Sequence, residues 1–204
     1  MPSLDFLVTS LIVVLIPGSG VILTISTALV AGKRASLYTA LGCTAGIIPH
    51  LLASILGLSA ILHTSALAFQ GLKFAGVAYL LYLAYATWRD RSAFAVDSNT
   101  KVGSAGSLVL RAGLLNILNP KLTLFFLAFL PQFITPQGGS VSAQMLSLSG
   151  VFMLMTFVVF VLYGLLANLL RRAVIESPRV QDWLRRSFAA SFAGLGLNLA
   201  FAQR

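Results

Sequence analysis

The sequence predicts an all-α integral membrane protein, with six transmembrane helices arranged as two inverted three-helix repeats and with helices 1 and 4 broken at the midplane. Three observations carry this prediction: an apolar composition, six long apolar runs, and a matched pair of breaks in the first and fourth runs. Of the 204 residues, 58% are hydrophobic and 9% are charged, and the mean hydropathy is +0.93. A soluble domain is roughly 45–50% apolar and about 25% charged, so this chain lacks the polar side chains to cover a water-facing globule. Its apolar residues come in long runs rather than in alternating ~10-residue segments, which argues against a transmembrane barrel. At about 20 residues per span, six helices joined by short loops fit the length.

The six runs are residues 4–30, 36–62, 66–88, 108–133, 143–170 and 187–202. The first five can cross a bilayer with tilt to spare; the sixth is short, and Trp183 and Leu184 could extend it. No Lys or Arg precedes the first run, so residues 4–30 are expected to be a retained helix and not a cleaved signal. The basic residues then set the orientation. Lys33 and Arg34 follow the first run; Arg89, Arg91, Lys101 and Arg111 lie around the third connection; Arg171, Arg172, Arg179, Arg185 and Arg186 lie around the fifth. Positive charge stays on the cytoplasmic side, which predicts a multi-pass protein of the cytoplasmic membrane with both termini outside. The net charge of +9 therefore reports topology, and no nucleic-acid partner is expected. With a single cysteine, Cys43, in an apolar run, neither a disulfide nor a thiolate metal site can form within one chain, and no cofactor is expected.

The longest polar stretch, around residues 93–107, divides one transmembrane domain (1–204) into a first half (about 1–92) and a second (about 108–204). Three spans per half make the second half enter from the opposite face, the arrangement of an inverted repeat. Equivalent runs of the two halves are interrupted near their middles, the first at Pro17-Gly18-Ser19-Gly20 and the fourth at Asn119-Pro120-Lys121. Proline removes a backbone donor, and backbone groups freed within hydrocarbon are tolerated only where protein or a wet cavity receives them. Paired broken helices are the sequence-level pointer to a transporter's substrate site, so these seven residues are the candidate binding residues.

Lys121 is stranded at depth, where a cation is costly. All five acidic residues (Asp5, Asp90, Asp97, Glu176 and Asp182) lie in loops or at the ends of the apolar runs. Either a substrate carboxylate or backbone carbonyls freed at a break can supply its partner. His50, Tyr79 and Asn116 are further polar groups at depth, candidates for a pathway or for proton coupling. Hydrogen-bonded glue between helices accounts for such residues equally well. Gly42 and Gly46 form a close-packing pair, compatible with a homodimer.

Several stretches together resemble the LysE/RhtB family of amino-acid exporters, over nearly the whole chain. They are Pro17-Gly18, Gly32-Lys33-Arg34, Ala40-Leu41-Gly42 with Gly46, the run from Lys73 to Leu83, and above all Gly113 through Asn119-Pro120-Lys121 to Leu130-Pro131-Gln132-Phe133. The family's first break usually reads Pro-Gly-Pro followed by Asn or Asp, where this chain has Ser19 and Gly20. The resemblance implies secondary export of amino acids or related small metabolites, driven by an ion or proton gradient. A passive channel or a non-transporting membrane scaffold is the alternative. An enzyme is not expected: a serine elbow needs glycines two residues to either side of the serine, and Pro17 occupies one of those positions around Ser19. The chain also has two histidines and no acidic pair within a run.

Overall fold

The computed structural model describes residues 2–16, 18–61, 66–89, 103–135, 139–169 and 177–201, and among them no strand occurs. The helices are α1 (Leu4–Leu15), α2 (Ser19–Ala45), α3 (Ile48–Ile61), α4 (Ala66–Arg89), α5 (Ala105–Ile117), α6 (Pro120–Leu124), α7 (Val141–Leu169) and α8 (Pro178–Phe201). After α6 the chain passes through a π turn (Phe125–Phe129) and a 3-10 turn (Leu130–Phe133). Pro17, Lys101 and most of the polar linker lie outside the described residues.

The first apolar run is two helices. α1 starts on Ser3, whose hydroxyl accepts the Phe6 amide at 3.2 Å, satisfying one of the donors a helix start leaves open. It stops at Ile16, where the backbone turns extended (φ −66°, ψ 116°); Gly18 is extended as well, and α2 begins at Ser19. α2 then doubles back. Gly20 and Cys43, 23 residues apart, would lie about 35 Å from each other on a straight helix, yet the Cys43 Sγ sits 3.8 Å from the Gly20 carbonyl oxygen. The reversal falls at Gly32 (φ 81°, ψ −179°), a conformation essentially reserved for glycine. The exposed Lys33 and Arg34 follow it at the turn between the first two runs.

Two features depart from the sequence expectation. The second run is interrupted at Gly46 and Ile47, a step ahead of Pro49, and resumes as α3; packing alone had been expected of Gly46. The sixth helix begins at Pro178 instead of residue 187, because Ser177 caps it through the Val180 amide at 3.4 Å and a polar first turn can be helical without being apolar. Its Arg185 pairs with Asp182 at 2.8 Å and donates to the Trp88 carbonyl at the end of α4. Gly196 meets Leu80 farther along, so α4 and α8 run antiparallel.

The fourth run bends by 54° between Ala105–Ile117 and Lys121–Phe133. Among the described residues, two further stretches, Ser19–Leu56 (which folds back at Gly32) and Val141–Leu169, are by length and composition apolar enough to cross a membrane, and the bent pair makes a third if counted as one span. Phe125, Phe126 and Phe152 fill the interior, with Phe125 and Phe152 stacked at 4.2 Å. Large apolar side chains such as Leu4 (75% exposed) and Leu169 (78% exposed) face outward, a surface that a lipid environment accepts.

Gly42 and Gly46 pack inside the chain, against the Val109 and Gly113 carbonyls of α5. This contact consumes the small-residue pair expected to be available to a homodimer. A Cβ on Gly46 would come within 2.7 Å of the Gly113 oxygen, whereas one on Gly71 would meet nothing within 4 Å. Gly42→Ala and Gly46→Ala are therefore expected to destabilise the protein by about 1–3 kcal/mol. Thermal unfolding of the purified protein in detergent checks this, with Gly71→Ala as the variant expected to leave the midpoint in place.

Candidate functional site

The two breaks touch. Lys121, at the first turn of α6, is 5% exposed, and its Nζ donates to the carbonyls of Val13 (3.0 Å) and Ile16 (2.6 Å) at the end of α1. These carbonyls belong to the last turn, which has no intrahelical donors and carries the negative end of the helix dipole. A lysine ammonium has three protons; α1 takes two.

Gly18 lies directly over this contact, where a Cβ would stand 3.4 Å from Asn119 Nδ2 and 3.6 Å from Lys121 Nζ. Gly18 supplies no side-chain cap to α2, so the first-turn amides of α2 have no intrahelical acceptor. The start of α6 differs: Asn119 Oδ1 accepts the Lys121 amide at 3.1 Å, with Pro120 in the first turn, where a missing N–H costs nothing. Two positive groups, an ammonium and an uncapped helix N-terminus, thus converge on one point.

Asn116 ties this point to the rest of the interior. Its Nδ2 donates to the Cys43 carbonyl (2.6 Å) and its Oδ1 accepts from Asn119 Nδ2 (3.0 Å). Its backbone oxygen meets His50 Nε2 at 3.1 Å, and His50 Nδ1 lies 3.4 Å from Thr123 Oγ1. The His50 ring stacks on Phe126 at 6.3 Å. Gly20 makes room for the carboxamide, since a Cβ there would lie 2.9 Å from Asn116 Oδ1. A continuous polar chain therefore runs from Thr123 through His50, Asn116 and Asn119 to Lys121.

Beside it opens a cleft of about 570 Å³ lined by Gly18, Ser19, Tyr79, Thr87, Asn119 and Lys121 together with apolar side chains that include Leu114, Leu118 and Phe192. Its size and its few polar groups on apolar walls are those of a small-molecule site. An inner niche of about 10 Å³ between Gly18, Asn116, Lys121 and Thr156 has room for about one water. Of the expected residues, Gly18, Ser19, Asn119, Lys121 and Tyr79 reach the cleft. Gly20 and Asn116 line the niche, and His50 lies behind Asn116. Pro17 is outside the described residues, and nothing is described of Pro120's side chain. The Val13 and Ile16 carbonyls are the freed backbone groups expected as one of the two partners for Lys121; Thr87 and Thr123 were not anticipated, and Thr87, a hydroxyl on the same helix as Tyr79, was the more legible of them. Among the described residues no cluster of three or more His, Cys, Asp or Glu exists.

The family described as LysE type translocator matches residues 11–203. A homoserine/homoserine lactone efflux protein of Salmonella typhimurium is 35% identical over 198 residues, covering 97% of this chain and 95% of that one. An uncharacterized membrane protein of Vibrio cholerae is 34% identical over 200 residues, covering 98% and 97%. No solved structure matches the chain.

Asn116→Ala strands the Cys43 carbonyl and the Asn119 carboxamide in the interior. A stability loss of about 1–3 kcal/mol for each unsatisfied group is expected, read as a lowered unfolding midpoint in detergent; Asn116→Gln, which keeps both functional groups, is expected to recover part of it.

Proposed function

Since the chain belongs to the LysE type translocator family, we propose that it is a secondary transporter that exports amino acids or related small metabolites across the cytoplasmic membrane by alternating access. The family is one of translocators and not of enzymes. One observation carries the reading of the site: Lys121 Nζ and the uncapped start of α2 converge at Gly18, on the wall of the cleft. An ammonium and a helix N-terminus in a low-dielectric interior are matched by an anion. In an amino acid the group that fits is the carboxylate, with the side chain lying along Tyr79, Leu114 and Phe192.

In this reading the chain makes six spans in two inverted halves. α1 with the first part of α2 forms the first span, and α5 with the segment from Pro120 to Phe133 forms the fourth. The reversal at Gly32 beside Lys33 and Arg34 supports a cytoplasmic placement of that turn and outside termini. So does the grouping of Arg185 and Arg186 around Trp88. The homoserine exporter among the relatives makes homoserine the first substrate to test. The halves rock about the paired breaks, whose hydrogen bonds are side chain to backbone and can be exchanged for bonds to substrate.

Uptake of labelled homoserine into everted vesicles tests the site. Lys121→Met is expected to lower the rate by at least about tenfold, the loss of roughly 1.4 kcal/mol of binding. Lys121→Arg, which keeps the charge, should retain a measurable fraction. Full-rate transport by Lys121→Met would show that the lysine only holds α1 in place. Trans-stimulation by unlabelled substrate is expected of a carrier and not of an open channel.

A further inference from the structure

Among the described residues, the carboxylate site has no acidic counterpart. Of the five acidic residues in the chain, Asp5 is exposed in the first turn of α1. It lies about 12 Å or more along the helix from the Val13 carbonyl. Asp182 is at the start of α8, paired with Arg185 at 2.8 Å. Asp90, Asp97 and Glu176 lie outside the described residues. Among the described residues, the cleft wall offers the hydroxyls of Ser19, Tyr79 and Thr87 and the carboxamide of Asn119, but no carboxylate. The carbonyls of Val13 and Ile16 at the end of α1 already accept from Lys121.

We infer, resting on the carboxylate reading of the site, that it recognises the carboxylate end of its substrate and leaves the amino group without a charged partner, so that 2-hydroxy carboxylates of the same carbon skeleton are also exported. The physical argument is a balance at one atom. An ammonium brought into the cleft loses hydration and gains only neutral acceptors, while Lys121 nearby repels it; a buried charge without a paired opposite charge is costly. A hydroxyl at the same carbon loses less hydration, and Ser, Thr, Tyr and Asn side chains satisfy it as donor or acceptor. Replacing –NH3+ by –OH therefore removes a cost and no ion pair. Removing the carboxylate instead deletes the interaction with Lys121 and α2.

Three small probes built on one carbon chain separate the two ends. They are labelled homoserine, labelled 2,4-dihydroxybutanoate (hydroxyl for ammonium) and 3-aminopropan-1-ol (carboxylate deleted). In everted vesicles carrying the protein, 2,4-dihydroxybutanoate is expected to accumulate with a KM within about tenfold of that of homoserine, the span of one lost or gained interaction of ordinary size. An excess of 3-aminopropan-1-ol should leave both uptakes unchanged. Asp90→Asn, which neutralises the acidic residue nearest in sequence to the cleft residue Thr87, should affect neither substrate selectively. If homoserine accumulates in a Lys121-dependent way and 2,4-dihydroxybutanoate neither accumulates nor competes, the inference is wrong and the carboxylate site stands. Competition by 3-aminopropan-1-ol, or a loss of homoserine uptake alone in Asp90→Asn, would show that the ammonium is read by charge and overturn it. Accumulation of neither labelled compound overturns this inference and the export reading together.

Discussion

A lysine ammonium resting on the last carbonyls of α1 is the interaction on which the rest of the arrangement depends. Burying a cation among apolar helices is costly, and so is ending a helix inside protein with its terminal carbonyls unpaired. Lys121 resolves both at once, through bonds of 3.0 Å and 2.6 Å to Val13 and Ile16. Because α1 must stop where those carbonyls are offered, and α6 must start where the ammonium can reach them, the two breaks are held against each other. The uncapped start of α2 is brought there by continuity of the chain.

Around that contact the packing is set by glycines used as gaps. Gly20 admits the Asn116 carboxamide, and Gly42 and Gly46 let α5 approach the returning arm of α2 closely enough for Asn116 to reach the Cys43 carbonyl. The polar chain that results crosses between α2, α3, α5 and α6, with each link satisfied by a side chain or a backbone group that a helix break has left open. Such a network specifies one arrangement when complete.

Much of this was legible beforehand, for identifiable reasons. Helix type and the location of the apolar runs follow from composition and from the length of hydrocarbon a helix must cross. The breaks at Gly18 and Asn119 are punctuated by glycine and proline, and Lys121 stands out because charge in such a run is rare. The interruption at Gly46 and Ile47 was not legible, and the early start of α8 was legible only as far as Trp183. A glycine in an apolar run serves packing or bending with the same letters, and a polar first turn carries no hydropathy signal.

By itself the sequence determined that the chain is helical and apolar, that two runs are interrupted, and that one lysine lies at depth while every acidic residue lies in a loop or at the end of a run. These are properties of single positions and of their spacing. Which groups the lysine would meet, a substrate or the protein's own carbonyls, depended on where α1 ends relative to α6, more than 100 residues later. That distance is decided by the fold-back at Gly32 and the seating of α5 on the glycine pair. Only the tertiary structure could show that Lys121 is already tied to α1 while it still lines the cleft, because spacing along a chain does not encode the meeting of two broken ends.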